Sequence, residues 1–429
     1  MNKGGLQDGH SRALLRYLVP DPESKRSLAN HIRLVDKYLC LPQQDGYTTY
    51  MDCICQSILK NGESINVEYM QSNLLVLASR EKAFKLPDRY QSDSTTYDYV
   101  FDFSGETDLN LEEEVHIERT FKLLPELARL ASNLGVKAYV RECPTLYHNQ
   151  ESKKPLKDGE GKPFSTRSKW VHEGIRAMAS FKELNLVIAR PALLYGPYAT
   201  DGFAPRLLIG EIYKYIGETM EHLWSSELRL HTVHVKDFAS ALWNLANWIS
   251  SSGGRSRLEP ASSCLIPTFL NSNELSSYQK ILPPKDLTVR APIFNIVDDG
   301  DTTQGVLASL AEEVVGVKVG FYGKLINQFA KLHIMDVVED VNEKHFEPWP
   351  EMLAKSNPPV TNTPFSPTLP EALLSKNHLA FENSKVKETL RGVWSLEYPR
   401  INGEIVRDQI QRFKDEGVWP NVVPRTKSK

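Results

Sequence analysis

Leu184-Asn-Leu-Val-Ile-Ala189 runs straight into Arg190-Pro-Ala-Leu-Leu-Tyr-Gly-Pro197, a short β-rich run followed by a proline-pinned turn. It is one of a series. His31-Ile-Arg-Leu-Val-Asp36, Val67-Glu-Tyr-Met-Gln71, Tyr97-Asp-Tyr-Val-Phe-Asp-Phe103 and Gly135-Val-Lys-Ala-Tyr-Val140 come before it. Between them lie segments with the apolar period of a helix. Residues 113–134 carry Leu123, Leu124, Leu127, Leu130 and Leu134 on one stripe, and a second helix is expected over 166–181. Strands alternating with helices predict an α/β fold with a doubly wound, mostly parallel sheet, because parallel strands need crossover helices of one hand. Ligands of such a sheet sit at the carboxyl ends of the strands, so function is expected in the loops after Asp36, Phe103, Val140 and Ala189.

Past Asp237 the alternation weakens. Residues 251–290 begin rich in Ser and Gly and read as an irregular insertion. Ile293-Phe-Asn-Ile-Val-Asp298 is one more strand, with a helix from about Thr303. Pro358, Pro359, Pro364, Pro367 and Pro370 mark 357–370 as an extended linker, with helices beyond it. The expected division is a sheet domain over 1–250, of which 191–230 joins a smaller lobe. The insertion covers 251–290, and 291–429 holds the final strand, helices and C-terminal substrate lobe.

The chain has 429 residues, 41% hydrophobic and 24% charged, as an ordinary globular protein does. A net charge of −3 and the lack of any long Lys/Arg run leave no footprint for nucleic acid. Cys40, Cys53, Cys55, Cys143 and Cys264 form neither a CxxC motif nor a zinc half-site, so no metal is expected and free thiols in a reducing compartment fit best. No apolar run is long enough to span a bilayer. The opening residues, with Lys3, Asp8, His10 and Arg12, lack a signal-peptide core. A cytoplasmic protein without membrane insertion is the expectation.

Three segments in order carry a family likeness. Arg190 to Pro197 is similar to an RPxxxYGP motif, His231-Thr-Val-His-Val-Lys-Asp237 to xxVHVxD, and Phe294-Asn-Ile-Val-Asp-Asp-Gly300 to YNxxDG. With these, roughly residues 30–310 resemble the extended short-chain dehydrogenase/reductases, the epimerase/dehydratase and 3β-hydroxysteroid dehydrogenase-like group. The resemblance implies a Rossmann-like fold, NAD as cofactor and a hydroxyl-bearing small-molecule substrate. It also implies a proton-transfer site of Tyr, a Lys four residues later, and a Ser or Thr on the neighbouring strand. Here the lysine falls on Lys169, the tyrosine on Ser165 and the serine on Cys143. A serine hydroxyl has a far higher pKa than a phenol and a shorter reach, and a thiol is a weak donor. Thr145 and Tyr147 are the other candidates for proton transfer. The glycine-rich phosphate turn is represented by Gly4-Gly-Leu-Gln-Asp-Gly9, with Gly4, Gly5 and Gly9 as its glycines. The strand that should precede this turn is central in the family's sheet, and three residues are too few to form it. A truncated or re-started N-terminus is therefore one reading. Asp36 is implied as the ribose ligand that favours NAD over NADP, and Asn73 as an adenine neighbour. Ser104 and Gly105 would allow close backbone approach, Lys169 would bind the nicotinamide ribose, and Pro191 would lie on the cofactor side.

Blander readings stand beside these. Asp36 is also a strand end, Lys169 a helix-surface lysine, Cys143 a small hydrophobe and Tyr147 a packing residue. The Gly4-Gly5 turn also reads as a frayed terminus, and Arg190-Pro191 as a rigid turn into the substrate lobe. Two functions remain open: an NAD-dependent epimerase/dehydratase-like oxidoreductase with impaired or non-standard catalysis, or a catalytically silent Rossmann-like binding or regulatory protein. The apolar stripe over 113–134 makes a homodimer a candidate assembly.

Overall fold

The computed structural model describes residues 5–6, 9–23, 26–40, 42–43, 46–47, 50–91, 96–144, 147–148, 154–258 and 262–425. Ile32–Asp36 (β1) and Val67–Gln71 (β2) pair in parallel, Ile32 opposite Val67 and Asp36 opposite Gln71. Tyr99–Asp102 (β3), Ala138–Glu142 (β4), Leu186–Pro191 (β5) and Ile293–Ile296 (β6) form a second parallel set in the order β6-β5-β4-β3. Each strand lies within a few residues of its expected position.

Helices cover both faces of this sheet. Gly9–Leu18 (α1) packs against Val235–Ser251 (α4) on one side, and Leu123–Asn133 (α2) against Thr166–Ala179 (α3) on the other. Alternation along the strands feeds two separate cores. Val140, Val187 and Ala189 join Leu15, Phe238 and Leu242 in one core, whereas Tyr139, Leu186 and Ile188 join Leu124, Leu127 and Ile175 in the other. Truncating a side chain as buried as Leu242 should cost roughly 2–5 kcal/mol.

The helix expected over 113–134 is present with an interruption. Glu113–His116 is α-helical, Ile117–Phe121 is a π turn, and α2 follows. Pro125 lacks an N–H, and its ring would press on the carbonyl of Phe121 one turn back. A wider turn there relieves both problems. The leucine stripe of α2 is turned inward, with Leu123, Leu124 and Leu127 buried.

In the second half, Leu193–Tyr195 pairs with Thr232–His234, and Met220–His222 with Val319–Phe321. Helix Ala204–Ile216 packs on Gln304–Val315 and Pro348–Lys355, so segments after β5 and after β6 come together. The insertion contributes a two-residue strand, Cys264–Leu265, paired with Arg290–Ala291, and a short helix, Ser272–Ser277. Among the described residues no helix is long and apolar enough to cross a membrane.

Candidate functional site

Asp36 ends β1, and the turn at residues 5–6 folds onto it. The Leu6 N–H donates to Asp36 Oδ2 at 2.6 Å. Gly5 sits at φ +54°, where a Cβ would come within 2.6 Å of Asp36 Oδ2 and 2.8 Å of the Val35 carbonyl, so the position requires glycine. The chain enters α1 at Gly9, where a Cβ would lie 2.6 Å from Asp201 Oδ2. Arg12, in the first turn of α1, donates to the Leu6 carbonyl at 2.8 Å and to Thr200 Oγ1 at 3.2 Å. Leu6 is fully buried, so this turn is packed structure and not a frayed end. Gly4 and Thr145 lie outside the described residues, as does Asp8.

The other residues expected near a cofactor are locally engaged. Asn73 Oδ1 accepts from the Leu75 N–H at 3.2 Å in the turn after β2. Ser104 donates its hydroxyl to Asp102 Oδ1 at 2.6 Å. Gly105 has φ +117°, and a Cβ there would press on the Thr120 side chain at 3.0 Å. Pro191 closes β5 opposite Ile296. Gly5, Asp36 and Ser104 all line one cavity of about 550 Å³ between β1 and β3. A glycine turn, a carboxylate and a helix start at the strand ends are the parts that hold the adenosine half of a dinucleotide.

The expected proton-transfer residues divide into two groups. Cys143, just past β4, is buried and donates its N–H to the Ala189 carbonyl at 2.8 Å. Its thiol lies 3.6 Å from the Tyr147 hydroxyl, which lies 3.0 Å from His172 Nδ1. His172 Nε2 is 2.7 Å from the Pro267 carbonyl. A carbonyl only accepts, so the imidazole proton sits on Nε2 and Nδ1 accepts from Tyr147. The Cys143 thiol then has two acceptors in reach, the Tyr147 oxygen at 3.6 Å and the Pro144 carbonyl at 3.7 Å. Burial lowers the His172 pKa to about 4 and pushes the Cys143 thiol and Tyr147 phenol upward. The Arg190 guanidinium stacks 4.2 Å over the Tyr147 ring and donates to the Glu160 carbonyl at 2.9 Å.

Ser165 and Lys169 belong to a different arrangement. Ser165 is the N-cap of α3: its Oγ accepts from the Ser168 N–H at 3.1 Å, and Ser168 Oγ accepts from the Ser165 N–H at 2.9 Å. Lys169 Nζ is held by Glu113 at 3.0 Å and Glu274 at 2.5 Å. Burial alone would lower its pKa, but these two carboxylates outweigh that and raise it. Among the described residues, no hydrogen bond joins Ser165 or Lys169 to Cys143 or Tyr147.

His172 was not expected from the sequence. Its signal was its spacing, seven residues after Ser165 and so on the same face of α3. A second cavity of about 90 Å³ is lined by Phe164, Arg206 and His222. The Arg206 guanidinium donates to the Gly202 carbonyl at 3.3 Å, and burial lowers its pKa to about 10.

No protein-family model matches the chain, and no curated protein sequence does. Solved structures match it over nearly the whole length. A dTDP-glucose 4,6-dehydratase from Streptomyces venezuelae, with NAD bound, is 10% identical with a TM-score of 0.57 and 96% of each chain covered. A UDP-glucuronic acid 4-epimerase from Bacillus cereus, in complex with UDP-glucuronic acid and NAD, is 10% identical with a TM-score of 0.54, covering 96% of this chain and 97% of that one. A UDP-glucose 4-epimerase from Thermotoga maritima, with UDP-glucose, is 12% identical with a TM-score of 0.53, covering 95% and 96%. The chain therefore shares the Rossmann-like α/β fold of these dehydratase and epimerase structures.

Proposed function

We propose that this protein is an epimerase/dehydratase-like NAD-binding protein that takes a hydroxyl-bearing sugar nucleotide and lacks the usual tyrosinate route. The observation that carries the binding half is the turn of Gly5 and Leu6 on Asp36, leading into α1. Two of the similar structures named above, the dehydratase and the UDP-glucuronic acid 4-epimerase, were solved with NAD, which supports this reading. Asp36 faces the adenosine ribose in this reading and disfavours a 2′-phosphate. Arg206, which lines the second cavity, suits the anionic part of a sugar nucleotide. NAD when bound supplies the hydride acceptor.

The chain's own proton-transfer groups do not match that chemistry. Ser165 spends its hydroxyl on a helix cap, and Lys169 is tied to two carboxylates. Tyr147 is buried, with its proton directed at His172. That pairing also favours the second reading, a catalytically silent binding or regulatory protein. Homodimer formation belongs to the same proposal, and light scattering tests it.

The test is to incubate the purified chain with NAD and either UDP-glucose or dTDP-glucose, following binding by calorimetry and product by chromatography. Binding of NAD with turnover near background is expected. Ordinary turnover that Lys169→Ala leaves unchanged would overturn the assignment of the proton-transfer positions.

A further inference from the structure

Lys324–Leu332 (α5) and Ile334–Phe346 (α6) follow the short strand Val319–Phe321. One face of α5 meets the body of the protein. Ala330 is its buried residue and packs with Trp224, Leu228 and Val337. Asn327 fixes that orientation: its Oδ1 accepts from the Trp224 N–H at 2.8 Å, and its Nδ2 donates to the Tyr322 carbonyl at 2.8 Å. Leu325, Phe329 and Leu332 stand at i, i+4 and i+7, a single stripe along the opposite face. Leu325 is 79% exposed, Leu332 81% and Phe329 47%, and Met335 of α6 is 50% exposed beyond them. Side chains exposed this far along one stripe form a protruding apolar ridge rather than scattered surface residues. Lys324 and Lys331, also seven apart, line one edge of the ridge, and α5 contains no Asp or Glu. Among the described residues no carboxylate pairs with either lysine. The first acid past the ridge, Asp336, lies 3.6 Å from His333.

We propose that α5 is an interfacial helix that seats this chain on an anionic lipid surface. Leu325, Phe329 and Leu332 enter the boundary of the acyl chains, and Lys324 and Lys331 reach the headgroup phosphates. The long apolar stem of lysine lets its ammonium stay at headgroup level while the ridge lies deeper. Lysines without acids beside them, in a chain of net charge −3, give this helix the sign that an anionic bilayer attracts. The ridge exposes a few hundred Å², short of the roughly 800 Å² that each partner buries in a stable protein pair. Nine residues cannot cross a bilayer, so α5 lies on it. Trp224 and Tyr322, which hold Asn327, also line the cavity of about 90 Å³, so docking places that cavity beside the lipid.

The test is flotation of the full chain with vesicles of phosphatidylcholine containing about 30% phosphatidylserine, and with vesicles of phosphatidylcholine alone. Binding to the first is expected, weaker by about 10-fold or more on the second. Leu325→Ser combined with Leu332→Ser should lower binding by about 10-fold or more. Both side chains face solvent, so circular dichroism should not change. Val393→Ser, at a valine 69% exposed outside α5 and α6, should leave binding as it is. Three results would overturn the proposal: no flotation with either vesicle, equal flotation of the double leucine variant, or concentration-dependent association in light scattering that this variant abolishes. The last would assign the ridge to a second copy of the chain.

Discussion

The Tyr147 hydroxyl lies 3.0 Å from His172 Nδ1, and the Pro267 carbonyl 2.7 Å from Nε2 on the other side fixes the imidazole as the neutral Nε2–H form. Tyr147→Phe keeps the ring under Arg190 but leaves Nδ1 without a donor and the Cys143 thiol without this acceptor. A loss of roughly 1–3 kcal/mol in urea unfolding is expected, with the fold retained. A Tyr147→Phe variant as stable as the natural chain would show that this relay carries no weight.

His172 gives stability a sign with pH. Burial lowers its pKa from 6.5 to about 4, so between these values the unfolded chain binds the proton and the folded chain does not. Its contribution is full above pH 6.5 and is lost as the pH falls toward 4, amounting to about 3 kcal/mol. Urea midpoints of His172→Gln should fall less over that window than those of the natural chain. Parallel slopes would count against a buried neutral imidazole.

Asp298 acts in the opposite direction. Burial raises its pKa from 3.8 to about 7 despite bonds from Thr232 Oγ1 at 2.7 Å and the Gly300 N–H at 2.9 Å. The folded chain holds this proton longer than the unfolded one, so stability falls as pH rises from about 4 to 7, by up to about 4 kcal/mol. Asp298→Asn should flatten that decline in thermal melts. An unchanged decline would place the responsible group elsewhere.

Strand positions were legible because a strand buried on both faces needs a run of apolar residues, and β4, β5 and β6 each show one. The break before α2 is hidden in the periodicity, although Pro125 is its signal: a missing N–H acts one turn back, against a pattern that otherwise continues. The resemblance only implied a tyrosine position at Ser165, whereas its capping role could have been read from Ser-Thr-Arg-Ser168, where N-cap and N3 are both serines. The partners of Lys169 could not. Glu113 and Glu274 are distant in sequence and are brought together by α3 and the insertion. The contact between Leu6 and Asp36 is likewise set by the fold, since no local pattern links positions thirty apart.

Ser165→Tyr tests whether one residue stands between this chain and the usual chemistry. The substitution removes a capping hydroxyl and should cost about 1 kcal/mol in stability. It should not restore turnover while Glu113 and Glu274 hold Lys169. Combining it with Glu113→Gln and Glu274→Gln releases the ammonium to lower the phenol's pKa, and activity above the single variant is expected. Full activity from Ser165→Tyr alone would show that the two ion pairs are no obstacle.

Cofactor binding is tested most directly by calorimetric titration of NAD and of NADP into the natural chain at moderate salt. Saturable, one-to-one binding of NAD is expected, with NADP weaker because its 2′-phosphate meets the Asp36 carboxylate at the end of β1. Binding of neither dinucleotide, or NADP binding as tightly as NAD, would contradict the assignment of the Gly5–Asp36 turn as a cofactor site.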